Sequence, residues 1–220
     1  MIFKVIKTLT NSGIKDITIV LGGESVGDFV RLLGDGSEFG AHLSYVYQQQ
    51  AGGIAEALYL SRKIVKGHKI AVILGDNIFE DSFQSEIQEF ELSNTFQCYL
   101  FIKKVENPER FGVVELSEDN IIKNIEEKPQ KPKSNYVVAG LYLYDEKIFD
   151  VIEYVKNEIG YSKRGELEIT DVNNFYVNNY KTKVIFIKGF WSDAGSFDTL
   201  IKSSNFFKSF LVKNKKNISE

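Results

Sequence analysis

The order of apolar patches constrains this chain more than any other feature. Ile2, Phe3, Val5, Ile6 and Leu9 fall at the i, i+3, i+4, i+7 spacing of one helical face. Asn11-Ser12-Gly13 ends that stretch, and the β-branched run Ile17 to Leu21 reads as a buried strand before the Gly22-Gly23 turn. The same order recurs: helix over 25–33, strand 43–47, helix 54–65, strand 70–74, helix 82–92, strand 98–103. Such alternation predicts an α/β fold, a three-layer Rossmann-like sheet that is mostly parallel, with helices on both faces.

Beyond Lys104 the pattern changes. Segments 111–116 and 121–126 predict short strands around a Ser-Glu-Asp-Asn turn, an inserted antiparallel β region beside the sheet. A proline-bearing connector, 128–133, leads to strand 137–144, helices 147–155 and 166–178, strand 183–187 and a closing helix 196–211. The expected organisation is a single α/β domain over 1–212 and a polar tail over 213–220.

Composition narrows the chemistry. The 220 residues carry 27 Lys+Arg against 30 Asp+Glu, net -3, too balanced for a general polyanion binder such as a nucleic-acid protein. Cys98, the single cysteine, forms no internal disulfide, and with only His42 and His68 there is no zinc spacing. Cytoplasmic localisation is the expectation. The apolar runs 70–74 and 137–144 are far below the ~18 residues of a membrane span.

Several residues are placed to meet a ligand. Asp76, in Leu74-Gly75-Asp76-Asn77, follows an apolar strand, and open α/β sheets bind ligands beyond the carboxyl ends of their strands. It is either a ligand to a hard cation or the cap of the next helix. Asp193, between Trp191 and Gly195, carries the same two readings. Gln48 to Gly53 opens a helix, so its backbone N–H groups face whatever binds there. A glutamine amide offers one donor and one acceptor to a base edge; a plain turn is the other reading. Arg110-Phe111-Gly112 and Glu126-Glu127-Lys128 suit sugar hydroxyls or form a solvated charged run. The acidic residues of Arg164 to Asp171 fall in the predicted first turn of a helix.

Together, QQQAGG at 48–53, LGDN at 74–77, NPERFGVVE at 107–115, IEEKP at 125–129, PKSNYVVAGLYLYD at 132–145, RGELEITD at 164–171 and WSDAG at 191–195 resemble the glucose-1-phosphate thymidylyltransferases, a sugar nucleotidyltransferase family. The resemblance runs from Met1 to about Phe207. It implies a nucleotidyltransferase fold, Mg²⁺, dTTP and glucose-1-phosphate as substrates, dTDP-glucose and pyrophosphate as products, and a homo-oligomer. Carried over by position, Gln48 and Gly53 match thymine contacts, and Asp76 and Asp193 match metal-binding aspartates. Gly112, Glu127 and Val138 match sugar-binding positions, and Lys128 matches a lysine beside the sugar phosphate.

The family pattern also has a first strand and a glycine-rich G-G-x-G-T-R-L loop ahead of the position matching Met1. That strand is expected in the sheet interior, so without it two strand edges stay unpaired. The loop's N–H groups would form the anion clamp, so the 220 residues alone are expected to turn over poorly. Two further readings remain: a UTP-using relative, and a non-catalytic sugar-nucleotide-binding remnant.

Overall fold

The computed structural model describes residues 1–216, with side chains through Lys208. In chain order the elements are α1 (Ile2–Asn11), β1 (Asp16–Gly22), α2 (Val26–Leu33), β2 (His42–Gln48), α3 (Ile54–Leu60) and α4 (Arg62–Val65). Then come β3 (Ile70–Ile73), β4 (Asn77–Phe79), α5 (Gln84–Leu92), β5 (Cys98–Lys104), β6 (Gly112–Leu116), β7 (Ile122–Glu127) and β8 (Tyr136–Tyr144). The chain continues through α6 (Ile148–Tyr154), α7 (Ile169–Asn179), β9 (Thr182–Phe186), β10 (Trp191–Asp193) and α8 (Phe197–Lys216). The segment 213–216, expected in the tail, continues α8, and 217–220 lie outside the described residues.

The fold is mixed α/β in three layers, and its centre is β5. Cys98 through Ile102 are at most 1% exposed, so this strand is apolar on both faces. The two-residue period sends Cys98, Leu100 and Ile102 toward α3, α6 and α7, and Tyr99 and Phe101 toward Phe83 and Phe90 around α5.

The expectation of a mostly parallel sheet is corrected. The principal sheet has six strands in the order β7-β6-β8-β5-β9, with β3 also paired to β8. Only β5 and β9 pair in parallel there; β8 runs antiparallel to β3, β5 and β6. Both β3 and β5 oppose β8, so they share a direction, and the returning strand from the inserted region lies between them. Helix-strand alternation reports that shared direction but not what is wedged into it. The insert itself is a β6-β7 hairpin, and Asn120, at φ 60, supplies the left-handed residue of its turn.

Among the described residues β1 pairs only with β2, in parallel, and β3 only with β8. The second edges of β1 and β3 both border a cleft of about 1510 Å³, lined by Ile17, Ile19, Leu21, Ala71 and Ile73 among others. Two unpaired strand edges, as expected from the sequence, thus face one apolar space. No described helix is long and apolar enough to cross a membrane.

Amide exchange follows from this asymmetry, because open edges exchange without global unfolding. The β1 amides not bonded to β2 should exchange at least about two orders of magnitude faster than those of Leu100 and Phe101. Equal protection, measured by NMR-detected hydrogen exchange, would contradict an open β1 edge.

Candidate active site

Asp76 stands just beyond the carboxyl end of β3. The turn carrying it is held by Leu74 N–H to the Gly140 carbonyl and Asn77 N–H to the Leu74 carbonyl, both 3.0 Å. The next helix begins at Gln84, so Asp76 caps nothing, and β4 follows it directly.

Strand β4 pairs antiparallel with β10, placing Asp193 opposite Asn77. Ala194 N–H donates to the Asp76 carbonyl at 2.7 Å, sealing the junction. A Cβ on Gly195 would lie 3.4 Å from Asp193 Oδ2 and 3.6 Å from Asp76 Oδ2. The two carboxylates therefore flank one point beside Gly195. Asp193 does not cap α8 either; Ser196 and Thr199 exchange that role, with Thr199 N–H 3.3 Å from Ser196 Oγ.

The approach to β10 is pinned from beneath. Lys103 Nζ donates to the carbonyls of Ile187, Lys188 and Gly189, the last at 2.7 Å. Gly189 N–H in turn donates to Asp81 Oδ2 at 2.9 Å. Asn77 is buried and bonded on both sides of its amide: Nδ2 donates to Asp76 Oδ1 at 2.7 Å, and Trp191 Nε1 donates to its Oδ1 at 2.8 Å. This fixes the Asp76 carboxylate. Arg110 Nη2 lies 3.1 Å from Asp193 Oδ2, so the residue belongs to the site rather than to a solvated run.

A second cluster forms around Gly112 at the start of β6. A Cβ there would meet Ile125 Cγ2 and Thr170 Oγ1 at 3.3 Å and Glu127 Oε2 at 3.5 Å. Glu127 Oε2 accepts from Thr170 Oγ1. Arg164 forks onto Glu168 at 2.8 and 2.9 Å and reaches Glu127 Oε1 at 3.4 Å. Lys128, at φ 44, holds its Nζ 3.8 Å from Glu127 Oε1. Helix α7 starts at Ile169, not Glu166 as expected, because the backbone before it is bonded elsewhere: Leu167 N–H donates to the Gly52 carbonyl at 2.7 Å and Ser162 N–H to the Glu166 carbonyl at 2.9 Å. Asp171 alone is acidic in its first turn. Val138 is buried on β8, in one apolar cluster with Ile125 and Leu167.

Gln48 ends β2, and Gly53 precedes α3 at φ 97. A side chain on Gly53 would strike the Leu167 backbone at 2.5 Å, and Leu167 N–H donates to the Gly52 carbonyl at 2.7 Å. The 164–170 segment therefore links the Gln48 end to the Gly112 cluster. The structure brings together Asp76 with Asp193, Gln48 with Gly53, and Gly112 with Glu127 and Lys128.

Sequence reasoning gave no individual role to Asn77, Arg164, Thr170 or Gly140. The Arg164 to Glu168 spacing was a usable signal; Trp191, which bonds the Asn77 amide oxygen, lies too far along the chain for any.

The nucleotidyl transferase family profile matches residues 1–209. The chain belongs to the nucleotidyl transferase family. A glucose-1-phosphate thymidylyltransferase of Neisseria meningitidis is 37% identical over 220 residues, covering 99% of this chain and 74% of that protein. One from Mycolicibacterium smegmatis is 37% identical over 216 residues, covering 97% and 73%. A Bacillus anthracis crystal structure, described as a glucose-1-phosphate thymidylyltransferase with sucrose, superposes with a TM-score of 0.85 at 41% identity, covering 93% of this chain and 81% of that one. A UDP-glucose pyrophosphorylase bound to UDP-glucose shares the fold, with a TM-score of 0.78 at 22% identity and coverage of 94% and 86%. This nucleotidyl transferase is thus an enzyme with relatives named for sugar-1-phosphate chemistry.

Two measurements probe the scaffold of the site. Gly140 sits at φ 63, and a Cβ there would meet Asn77 Oδ1 at 2.8 Å and Leu74 Cδ1 at 2.9 Å. Gly140→Ala should cost about 1–3 kcal/mol in urea unfolding, from backbone strain and displacement of Asn77.

The Asp171 carboxyl is pushed up, first by burial and then by Glu168 and Glu127. A raised carboxyl binds more protons in the folded state, so stability falls as pH rises from the ordinary carboxylate range through the raised value. Asp171→Asn should therefore raise the urea midpoint at neutral pH, with the gain vanishing below about pH 4. An equal gain at both pH values would remove ionisation as its cause.

Proposed function

We propose that this chain transfers a thymidylyl group from dTTP to glucose-1-phosphate, releasing pyrophosphate and forming dTDP-glucose, with Mg²⁺ held by Asp76 and Asp193. The reading places the enzyme in the cytoplasm as a homo-oligomer. The observation that carries it is the pair of carboxylates flanking the opening at Gly195. Their hard oxygens suit Mg²⁺, which takes one or two carboxylates and completes its shell with water and substrate phosphates. When bound, the ion supplies charge neutralisation at the phosphates.

The chain's own residues supply position. An oxygen of the sugar phosphate attacks the α-phosphorus of dTTP; that P–O bond forms while the bond to the bridging oxygen breaks and pyrophosphate departs with its electron pair. Little covalent help is needed from protein, so orientation and neutralisation dominate. Gln48 and Gly53 hold the base. Glu127, with Gly112 leaving room above it and Val138 in the adjoining apolar wall, accepts from sugar hydroxyls. Lys128 places its ammonium toward the sugar phosphate, and its left-handed backbone turns it out of β7 beside Glu127. Arg110, pairing with Asp193 and about half exposed, is free to turn its second edge to a phosphate oxygen.

The test follows pyrophosphate release for dTTP, UTP and dCTP, each with glucose-1-phosphate and galactose-1-phosphate, with and without Mg²⁺. The pair dTTP and glucose-1-phosphate should be fastest, and Asp193→Asn should lower its rate about 10²-fold or more. Faster turnover of UTP would reassign the base. Metal-independent release, or an Asp193→Asn variant with full activity and unchanged Mn²⁺ binding by EPR, would overturn the metal assignment.

A further inference from the structure

Gln48 is the residue whose function depends on which way its side-chain amide faces. Its Nε2 donates to Glu56 Oε2 at 3.1 Å and to the Gly53 carbonyl at 3.5 Å. Both groups around that nitrogen only accept hydrogen bonds when the carboxyl is ionised. Turning the amide over would set its oxygen against two other oxygens. The amide therefore has one orientation, with Nε2 toward Glu56 and Oε1 directed away. Among the described residues no donor is bonded to that Oε1.

Glu56 is itself held in place. It lies in the first turn of α3, half-buried, and Tyr161 OH donates to its Oε1 at 3.4 Å while Gln48 takes its Oε2. Its carboxylate fills the space where a side chain on Gly52 would project: a Cβ there would meet Glu56 Oε2 at 1.7 Å. A side chain on Gly52 would therefore displace the Glu56 carboxylate from its place beside Gln48. Gly53 is locked against Leu167, so the carbonyl that forms the second wall around Nε2 has a fixed position.

We propose that Glu56 is a positioning residue that sets base specificity through Gln48. By engaging the amide nitrogen it leaves the Gln48 carbonyl oxygen as the group offered to the nucleotide. A carbonyl oxygen pairs with the N3–H of thymine or uracil and is repelled by the N3 lone pair of cytosine. Without Glu56 the amide turns freely and serves either base. This inference rests on the reading of Gln48 as a base contact, which it deepens: the site selects for a pyrimidine imide.

The experiment measures dissociation constants for dTTP and dCTP by titration calorimetry with Mg²⁺ on the wild-type chain and on Glu56→Gln, Glu56→Ala and Gln48→Ala, with folding verified by circular dichroism. Wild type should favour dTTP. Glu56→Ala should reduce the dTTP to dCTP preference about tenfold, the worth of one oriented hydrogen bond. Glu56→Gln, which still accepts through one oxygen, should fall between. In turnover, KM for dTTP should rise in Glu56→Ala while KM for glucose-1-phosphate and kcat stay near wild type. If both Glu56 variants keep the wild-type preference while Gln48→Ala loses it, the Glu56 proposal fails and the base contact stands. If Gln48→Ala also keeps it, the base-contact reading fails with it. A wild type that binds dCTP as tightly as dTTP overturns the proposal directly.

Discussion

Three residues of antiparallel pairing, Asn77 to Phe79 against Trp191 to Asp193, hold two like charges side by side. Adjacent carboxylates repel, and proteins keep such pairs only where cations or donors offset the cost. Here the offset comes from Arg110 on Asp193 and from the Asn77 amide on Asp76. Trp191 fixes that amide, and Phe111 packs edge-on against Trp191 with centroids 5.4 Å apart. The residue beside Phe111 is Arg110, so one apolar contact positions both compensating groups.

The same economy of support appears at the Gly112 cluster. Arg164 faces three acidic side chains, Glu127, Glu166 and Glu168, and leaves Glu127 sharing its second oxygen with Thr170. A carboxylate held from one side by a hydroxyl and a guanidinium keeps a fixed direction for its remaining lone pairs. In the proposed sugar-binding role, fixed direction is what recognition needs, since hydroxyls around a ring differ in orientation more than in chemistry. Segment 164–170 also braces Gly52, whose carbonyl accepts from Leu167 N–H, so the Gln48 end and the Gly112 cluster share one support.

Much of this was legible in the sequence, and the failures share a cause. Strands such as β1, β2 and β5 announce themselves through runs of β-branched and aromatic residues, and α1 through its apolar face. The family motifs singled out both aspartates and Gln48, Gly112 and Glu127 as candidate positions. What was not legible is pairing. Strands β4 and β10 have three residues each, too short for a periodic signal, and their partnership exists only across the folded chain. The antiparallel place of β8 is hidden for the same reason: a strand's composition reports its burial, not its neighbours. The start of α7 departed from expectation because Leu167 directs its backbone N–H and carbonyl to Gly52 and Ala55, partners far along the chain.

The cleft between β1 and β3 has a consequence for the chain outside its own chemistry. Open N–H and C=O groups backed by apolar side chains form a template that accepts any extended polypeptide, whatever its sequence. Mispairing by a neighbouring copy or by a nascent chain would satisfy those groups as well as a native strand does. At high concentration, association of this molecule is therefore set by that open gap as well as by its net charge.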